Sequence, residues 1–363
     1  MRETEIAVVG GGAAGMAAAI EAAKTGARVT LIDENERPGG QLFKQIHKFF
    51  GSGVHRAGRR GIQIGQELLE EAQNAGVEIR LNTAVYGLFS DHCLGLICGD
   101  HTEELQAKVI ILATGANENP LAFPGWTLPG VMGAGAAQTL INIHRTLPGS
   151  RILMVGAGNV GLIVSYQLLQ AGAEVMAIIE GLPYISGYGV HASKVRRAGV
   201  PILTSHTILK AEGKEQVERA IIAKVDERWY PIAGTEQILE VDTICFAVGL
   251  SPLAELAWMA GCRFTYIPQM GGWIPIHDGN MQSTDPMIYV AGDLAGVEEA
   301  STAMEEGRLA GLAAAGALGG LSLEEGEEKK AEVRERLAML RVGSFGEGRA
   351  SAKDQIIRAR NQV

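Results

Sequence analysis

Residues 5–33 read EIAVVGGGAAGMAAAIEAAKTGARVTLID. An apolar run, 6–9, meets Gly10, Gly12 and Gly15; an alanine-rich stretch of helical character runs to Gly26, and a second apolar run, 29–32, delivers Asp33. Strand, glycines, helix, strand and acid in this order predict a nucleotide-binding βαβ unit. Gly10 makes the tight turn off the strand, Gly12 lets backbone approach a pyrophosphate, and Gly15 allows close packing of helix on sheet. The N–H groups of the helix N-terminus then face the phosphates. Asp33 lies 18 residues beyond Gly15, the spacing at which a carboxylate accepts hydrogen bonds from an adenosine ribose.

The pattern occurs twice. An apolar strand over 151–155 leads to Gly156, Gly158 and Gly161, a helix runs to about Ala171, and a strand over 174–179 ends at Glu180. The first unit closes at Ala113-Thr114-Gly115 and the second at Ala247-Val248-Gly249, so two similar domains follow one another. Residues 287–291 then form a strand that returns the chain to the first domain and ends in Gly292-Asp293, and a small-residue helix follows over about 301–318. Asp293 reads either as an acceptor for a sugar-like hydroxyl chain or as a helix cap. The resulting fold class is α/β, with two Rossmann-like domains, the second inserted in the first, plus a helical C-terminal tail. Residues 1–118 and 251–322 make the nucleotide-binding domain, 119–250 the NAD-binding-like domain, and 323–363 a charged helical extension.

Three segments stand outside this frame. Pro38-Gly39-Gly40-Gln41-Leu42 re-enters the region before the first loop, either to bring backbone and the Gln41 amide to a bound ring system or as a plain turn. Residues 44–60 are basic and hold His47, His55, Phe49 and Phe50; a phosphate- or partner-facing surface competes with a solvated, partly amphipathic segment. The tail, with a charged helix over 323–341, a flexible link over 343–348 and a short helix over 351–363, suits a surface or a dock on another subunit.

With 47% hydrophobic residues the chain suits buried sheets rather than disorder, and a net charge of −9 argues against nucleic acid as a partner. Cys93, Cys98, Cys245 and Cys262 show no CxxC and no metal-ligand spacing, so neither structural zinc nor a disulfide is expected. The N-terminus lacks a signal-peptide pattern, and the longest uncharged stretch, 309–323, is short and glycine-interrupted; a cytoplasmic chain without a membrane span is expected. No acid–base or nucleophile constellation stands out, so no residue is assigned a catalytic role.

Taken together, Gly10 to Gly15, Asp33, Gly39-Gly40-Gln41, Thr114-Gly115, the second glycine loop and Gly292-Asp293 resemble the thioredoxin-reductase-like flavoproteins over roughly residues 4–322. The resemblance implies FAD in the first unit and NAD(P)H in the second. It assigns Gly10, Gly12, Ala14, Gly15, Asp33, Glu34, Gly40, Gln41, Thr114, Gly115, Gly292 and Asp293 to the first nucleotide, and Gly156, Gly158, Gly161 and Glu180 to the second. Thioredoxin reductases carry a redox cysteine pair early in the second domain; here residues 133–138 read GAGAAQ, so no dithiol relay runs through them.

Residues 39–50, 128–132 and 156–180 are similar to one branch, the nucleotide-binding subunits of heteromeric amino- and imino-acid dehydrogenases. Its members include hydrogen cyanide synthase, opine oxidase, hydroxyproline and proline dehydrogenases, and sarcosine oxidase alpha. That branch implies an FAD-containing, amine-oxidising partner subunit and a hetero-oligomer, in which any iron–sulfur centre comes from another chain or segment. Some relatives hold NAD or ATP in place of FAD at the first site and FMN at a subunit interface. Glu180 favours NAD over NADP at the second site, where Pro183, Tyr184 and Tyr188 are the alternative occupants of the nicotinamide pocket. A self-sufficient NAD(P)H-dependent flavin reductase and a scaffold with a structural NAD or ATP are the competing functions.

Overall fold

The computed structural model describes residues 2–49, 52–89, 91–343 and 345–362; Phe50 of the basic segment and Val363 of the tail lie outside them. The chain forms two compact units, residues 1–117 with 250–363 and residues 118–249.

The first unit is built on a parallel sheet. Arg2–Val9 pairs with Val29–Ile32 on one side and His101–Leu112 on the other, and Glu78–Arg80 extends the sheet beyond Val29–Ile32. The twelve-residue strand His101–Leu112 forks. Its first half pairs antiparallel with Cys93–Cys98, itself paired with Ala84–Leu88, while Ile110–Leu112 take the returning strand Ile288–Val290 in parallel. That return is why residues from opposite ends of the sequence share one sheet end.

Helix Ala13–Ala23 is alanine-rich, which favours helix and keeps its surface thin, and it is buried nearly all round. Gly26, at φ +91°, ends it in a left-handed conformation that costs glycine little. Against it lies helix Ala300–Ala317. A Cβ on Gly307 would stand 2.1 Å from the Ala14 carbonyl oxygen, and one on Gly311 2.3 Å from that of Ala18, so these glycines allow the two backbones to touch.

The second unit repeats the plan. Its parallel sheet runs Ile202–Thr204, Glu174–Glu180, Arg151–Val155, Thr243–Phe246, Val131–Gly133. The antiparallel meander His206–Glu212, Arg219–Lys224, Gln237–Glu240 accompanies it, as Ala84–Leu88, Cys93–Cys98 and the first half of His101–Leu112 accompany the first sheet. Cys245 lies buried in Thr243–Phe246, as its apolar setting predicted.

The tail is helical, as expected, and its first helix lies on the surface of the first unit with most of its residues exposed. Leu323–Leu340 and Glu347–Arg360 are helices that pack into the first unit, burying Val333, Leu337, Ala352, Lys353 and Ile356. The second helix begins four residues earlier than expected and takes in part of the proposed flexible link. Ser322 caps the first, its Oγ accepting from Glu325 N at 3.2 Å. Ser322→Ala should therefore cost about 1 kcal/mol in urea unfolding, with the m-value unchanged.

The basic segment is largely solvated, as expected, with Phe49 and His55 buried within it. Arg56 and Arg59 pair with Glu67, and Arg56 also with Glu71, on helix Gly61–Asn74, so two of the segment's cations are met by carboxylates of the same chain. His55 is buried rather than solvated, with Nε2 3.4 Å from Glu305. Burial pushes its pKa down, against the upward pull of Glu305.

Candidate functional site

The first glycine loop is held by its own acid. Gly10 leaves the strand at φ +101°, and a Cβ there would lie 2.3 Å from the Ala113 carbonyl oxygen. A Cβ on Gly15 would lie 1.8 Å from the Gly10 carbonyl oxygen, so this contact admits only glycine. Gly12 is different: a Cβ there meets nothing within 4 Å. It is the N-cap of Ala13–Ala23 and has no side-chain cap, so the first-turn N–H groups have open space before them. Asp33 is buried, and its Oδ2 accepts from Gly11 N at 2.6 Å while Oδ1 accepts from the Asn35 backbone and side-chain nitrogens, each at 2.8 Å. Asp33 follows the strand Val29–Ile32 where the sequence puts it, but its brace on the loop was not foreseen. Each carboxylate oxygen has two lone pairs, so Oδ2 retains acceptor capacity for a ribose hydroxyl.

The second loop copies the first bond by bond. Gly156 N donates to Ile179 O at 2.7 Å as Gly10 N does to Ile32 O at 2.8 Å. Ala157 N donates to Glu180 Oε2 at 2.9 Å, the counterpart of Gly11 and Asp33. A Gly161 Cβ would stand 2.1 Å from the Gly156 carbonyl oxygen, and a Gly158 Cβ has nothing nearer than Ser186 Oγ at 3.7 Å. Even the covering turn recurs, since Gly187 N donates to Ala157 O as Gly39 N does to Gly11 O. Tyr184, offered as an occupant of the nicotinamide pocket, is 61% exposed, and Tyr188 is the N-cap of Gly189–Arg197. The Trp229 ring lies over Gly181, beside the Glu180 strand end.

Three further segments reach the first loop. Gly40, at φ +50°, would place a Cβ 3.0 Å from Gly12 Cα, so the 38–42 turn is a cover on the loop; Gln41 and Glu34 are exposed at its edge. Gly292, at φ +70°, would place a Cβ 2.8 Å from the Ala14 Cβ, bringing Ala14 and the returning strand together. Thr114 donates its hydroxyl to Leu253 O at 2.6 Å, and Gly115 turns the chain at φ +79°. Asp293 is not the N-cap of Ala300–Ala317; that position belongs to Glu299, in a capping box with Thr302. Burial raises the Asp293 carboxyl to about 6, with Glu306 and Glu298 adding to the effect and the Glu298 N–H and Lys353 opposing it.

Sequence reasoning missed Glu306 and Glu118. Glu306 Oε2 accepts from Gly292 N at 3.1 Å; two adjacent glutamates, Glu305 and Glu306, inside an otherwise small and apolar helix were the available signal. Glu118 Oε1 accepts from Gly135 N at 2.7 Å, at the start of helix Ala134–Asn142. A carboxylate thus stands against residues 133–135. The four cysteines are free, and burial, with Glu118 adding to it, drives the Cys245 thiol up to about 12. Among the described residues no group of His, Cys, Asp or Glu is arranged to hold a metal ion, and no helix is long and apolar enough to cross a membrane.

The two open second glycines, each beside a braced acid, fit a dinucleotide pyrophosphate and ribose at both loops. An opine oxidase subunit of Agrobacterium tumefaciens (strain Ach5) is 30% identical over 95% of this chain and 71% of its own length. Hydrogen cyanide synthase subunit HcnB of Pseudomonas aeruginosa is 29% identical over 84% of this chain and 69% of its own. Among solved structures, T. acidophilum thioredoxin reductase superposes with a TM-score of 0.71 at 20% identity, over 88% of this chain and 99% of that one. L-proline dehydrogenase from P. horikoshii gives 0.69 at 22%, over 92% and 59%; at these identities both establish the fold alone. The family model for pyridine nucleotide-disulphide oxidoreductases matches residues 4–307, and the chain belongs to that family of oxidoreductases.

Proposed function

We propose that this chain is the nucleotide-binding subunit of a heteromeric amino- or imino-acid dehydrogenase. FAD occupies the first loop, NAD(H) the second, and a partner subunit oxidises the amine. The observation that carries this reading is the pairing of two intact glycine loops with the absence of thiol machinery, since residues 133–138 hold no cysteine. The names of the relatives support it, because the matching opine oxidase and hydrogen cyanide synthase chains are each one subunit of their enzyme. The flavin, when bound, supplies the redox chemistry. The chain's own contribution is to hold the pyrophosphate on Gly10–Gly15 backbone, offer Asp33 and Asp293 to sugar hydroxyls, and cover the loop with Gly39 and Gly40.

The test is an absorbance spectrum of the chain purified alone and with its co-purifying partners, followed by chromatography of the released nucleotides. One FAD per isolated chain is expected, with no turnover of proline, sarcosine or an opine until the partner is added. Full turnover by the isolated chain would overturn the division of labour. A colourless chain holding NAD or ATP would favour the scaffold reading instead.

A second reading, an NADH-dependent flavin reductase, draws on the Glu180 brace, which leaves the second loop built for a free ribose hydroxyl. Mixing the flavin-loaded chain anaerobically with NADH in a stopped-flow instrument decides it. Bleaching of the flavin band within the turnover time is required; an unchanged band removes this reading.

A further inference from the structure

We propose that the two C-terminal helices form a clamp on the turn that carries Asp293, with Lys353 and Arg341 as positioning residues for the nucleotide at the first loop. The inference rests on the nucleotide reading of that loop.

Lys353 lies on Glu347–Arg360 and is only 3% exposed. Its Nζ donates to Ala295 O at 2.6 Å and pairs with Glu306 Oε1 at 2.6 Å, with Glu298 Oε1 at 3.9 Å. Arg341, just past the C-terminus of Leu323–Leu340, bridges the same two carboxylates, donating to Glu306 Oε1 at 2.6 Å and to Glu298 Oε1 at 2.7 Å. Glu306 passes the contact inward, because its other oxygen accepts from Gly292 N. Glu298 N in turn donates to Asp293 Oδ1 at 3.4 Å. The turn Gly292–Ala295 is therefore gripped at both ends, by Glu306 at Gly292 N and by Lys353 at Ala295 O. Gly292 also lies against Ala14 of the glycine-loop helix.

An apolar seat holds the clamp in place: Ala352 and Ile356 pack with Ile267, Met270 and Ile274. That seat fastens the helix to Ile267, Met270 and Ile274 without any help from the ion pairs. A buried ammonium among carboxylates is a costly way to add stability, and an apolar residue of similar volume often serves as well. What an apolar residue cannot do is fix the Ala295 carbonyl and share Glu306 with Arg341. Nearby His277 does not contribute a charge, since burial and Lys353 push its pKa down to about 3.

The test titrates the nucleotide-depleted full chain with FAD, and separately with ADP and NAD, while unfolding of the nucleotide-free chain is followed in parallel. Lys353→Met should weaken FAD binding at least about tenfold and shift the visible circular dichroism of bound flavin, and Lys353→Arg should recover part of both. Pairing Lys353→Met with Glu298→Gln restores the charge balance, so stability should return while affinity stays low. Hydrogen exchange on the wild-type chain needs no variant: FAD should slow exchange in residues 347–360 together with residues 292–298. Variants that bind within twofold of wild type, or exchange in 347–360 indifferent to FAD, would overturn the clamp. A wild-type chain that binds none of the three nucleotides would instead sink the reading on which it rests.

Discussion

Gly12→Val will leave the protein folded and strip the first loop of its nucleotide. Gly12 has extended backbone, φ −74° and ψ −169°, which any residue adopts, and a Cβ there meets nothing. Stability of the nucleotide-free chain should stay within about 1 kcal/mol of wild type. The valine methyls would project into the space through which a pyrophosphate must approach backbone. A loss on the order of 100-fold in affinity, near 2.7 kcal/mol, is expected. Gly15→Val is the contrasting variant, because its side chain would enter the Gly10 carbonyl and the protein should fail to fold well at all. Gly158→Val repeats the experiment at the second loop, whose neighbouring Ser186 leaves comparable room. Calorimetric titration with FAD and NAD reads all three, and a Gly12→Val chain with undiminished nucleotide content would remove the first loop from the site.

The same contrast explains what could be read from the sequence. Glycine loops are legible because a carbonyl at 1.8 or 2.1 Å from a would-be Cβ forbids every other residue, and the constraint is written at fixed spacing. Asp33 and Glu180 are legible in position, since each ends a short apolar strand, but their bonds to Gly11 N and Ala157 N depend on a loop fold that no spacing reports. The tail's docking contacts were not legible, for a different reason. Buried and solvated ion pairs are written with the same letters, and the buried stripe of Leu323–Leu340, Val333 and Leu337, is too thin to separate a docked helix from a free one. Lys353 lies one residue from Ala352 and three from Ile356, yet nothing local says that its ammonium reaches Ala295, 58 residues away. His55 likewise has its carboxylate partner, Glu305, on an element that only the returning strand brings near.

Asp293→Asn will make the nucleotide-free chain more stable and the nucleotide complex weaker, and pH separates the two effects. Burial raises the Asp293 carboxyl from 3.8 to about 6. Below about pH 4 the group is protonated in folded and unfolded chains alike, and its carboxylic acid form fits the buried site. Between about pH 4 and 6 the unfolded chain releases its proton first, so stability falls as pH rises through this window and then levels off. The difference between 3.8 and about 6 corresponds to at most about 3 kcal/mol above pH 7. Asparagine does not titrate, so the variant should match wild type near pH 4 and exceed it progressively up to neutral pH in urea unfolding. Bound nucleotide reverses the ranking. A carboxylate accepts from a sugar hydroxyl more strongly than an amide oxygen does, and at pH 8 the variant should bind FAD about tenfold more weakly, near 1.4 kcal/mol. Parallel pH–stability curves for variant and wild type would show that Asp293 is not the buried acid. Equal affinities at pH 8 would show that it does not touch the sugar. Lower stability of the empty wild-type chain together with tighter nucleotide binding is the pattern expected of a site residue rather than of a core residue.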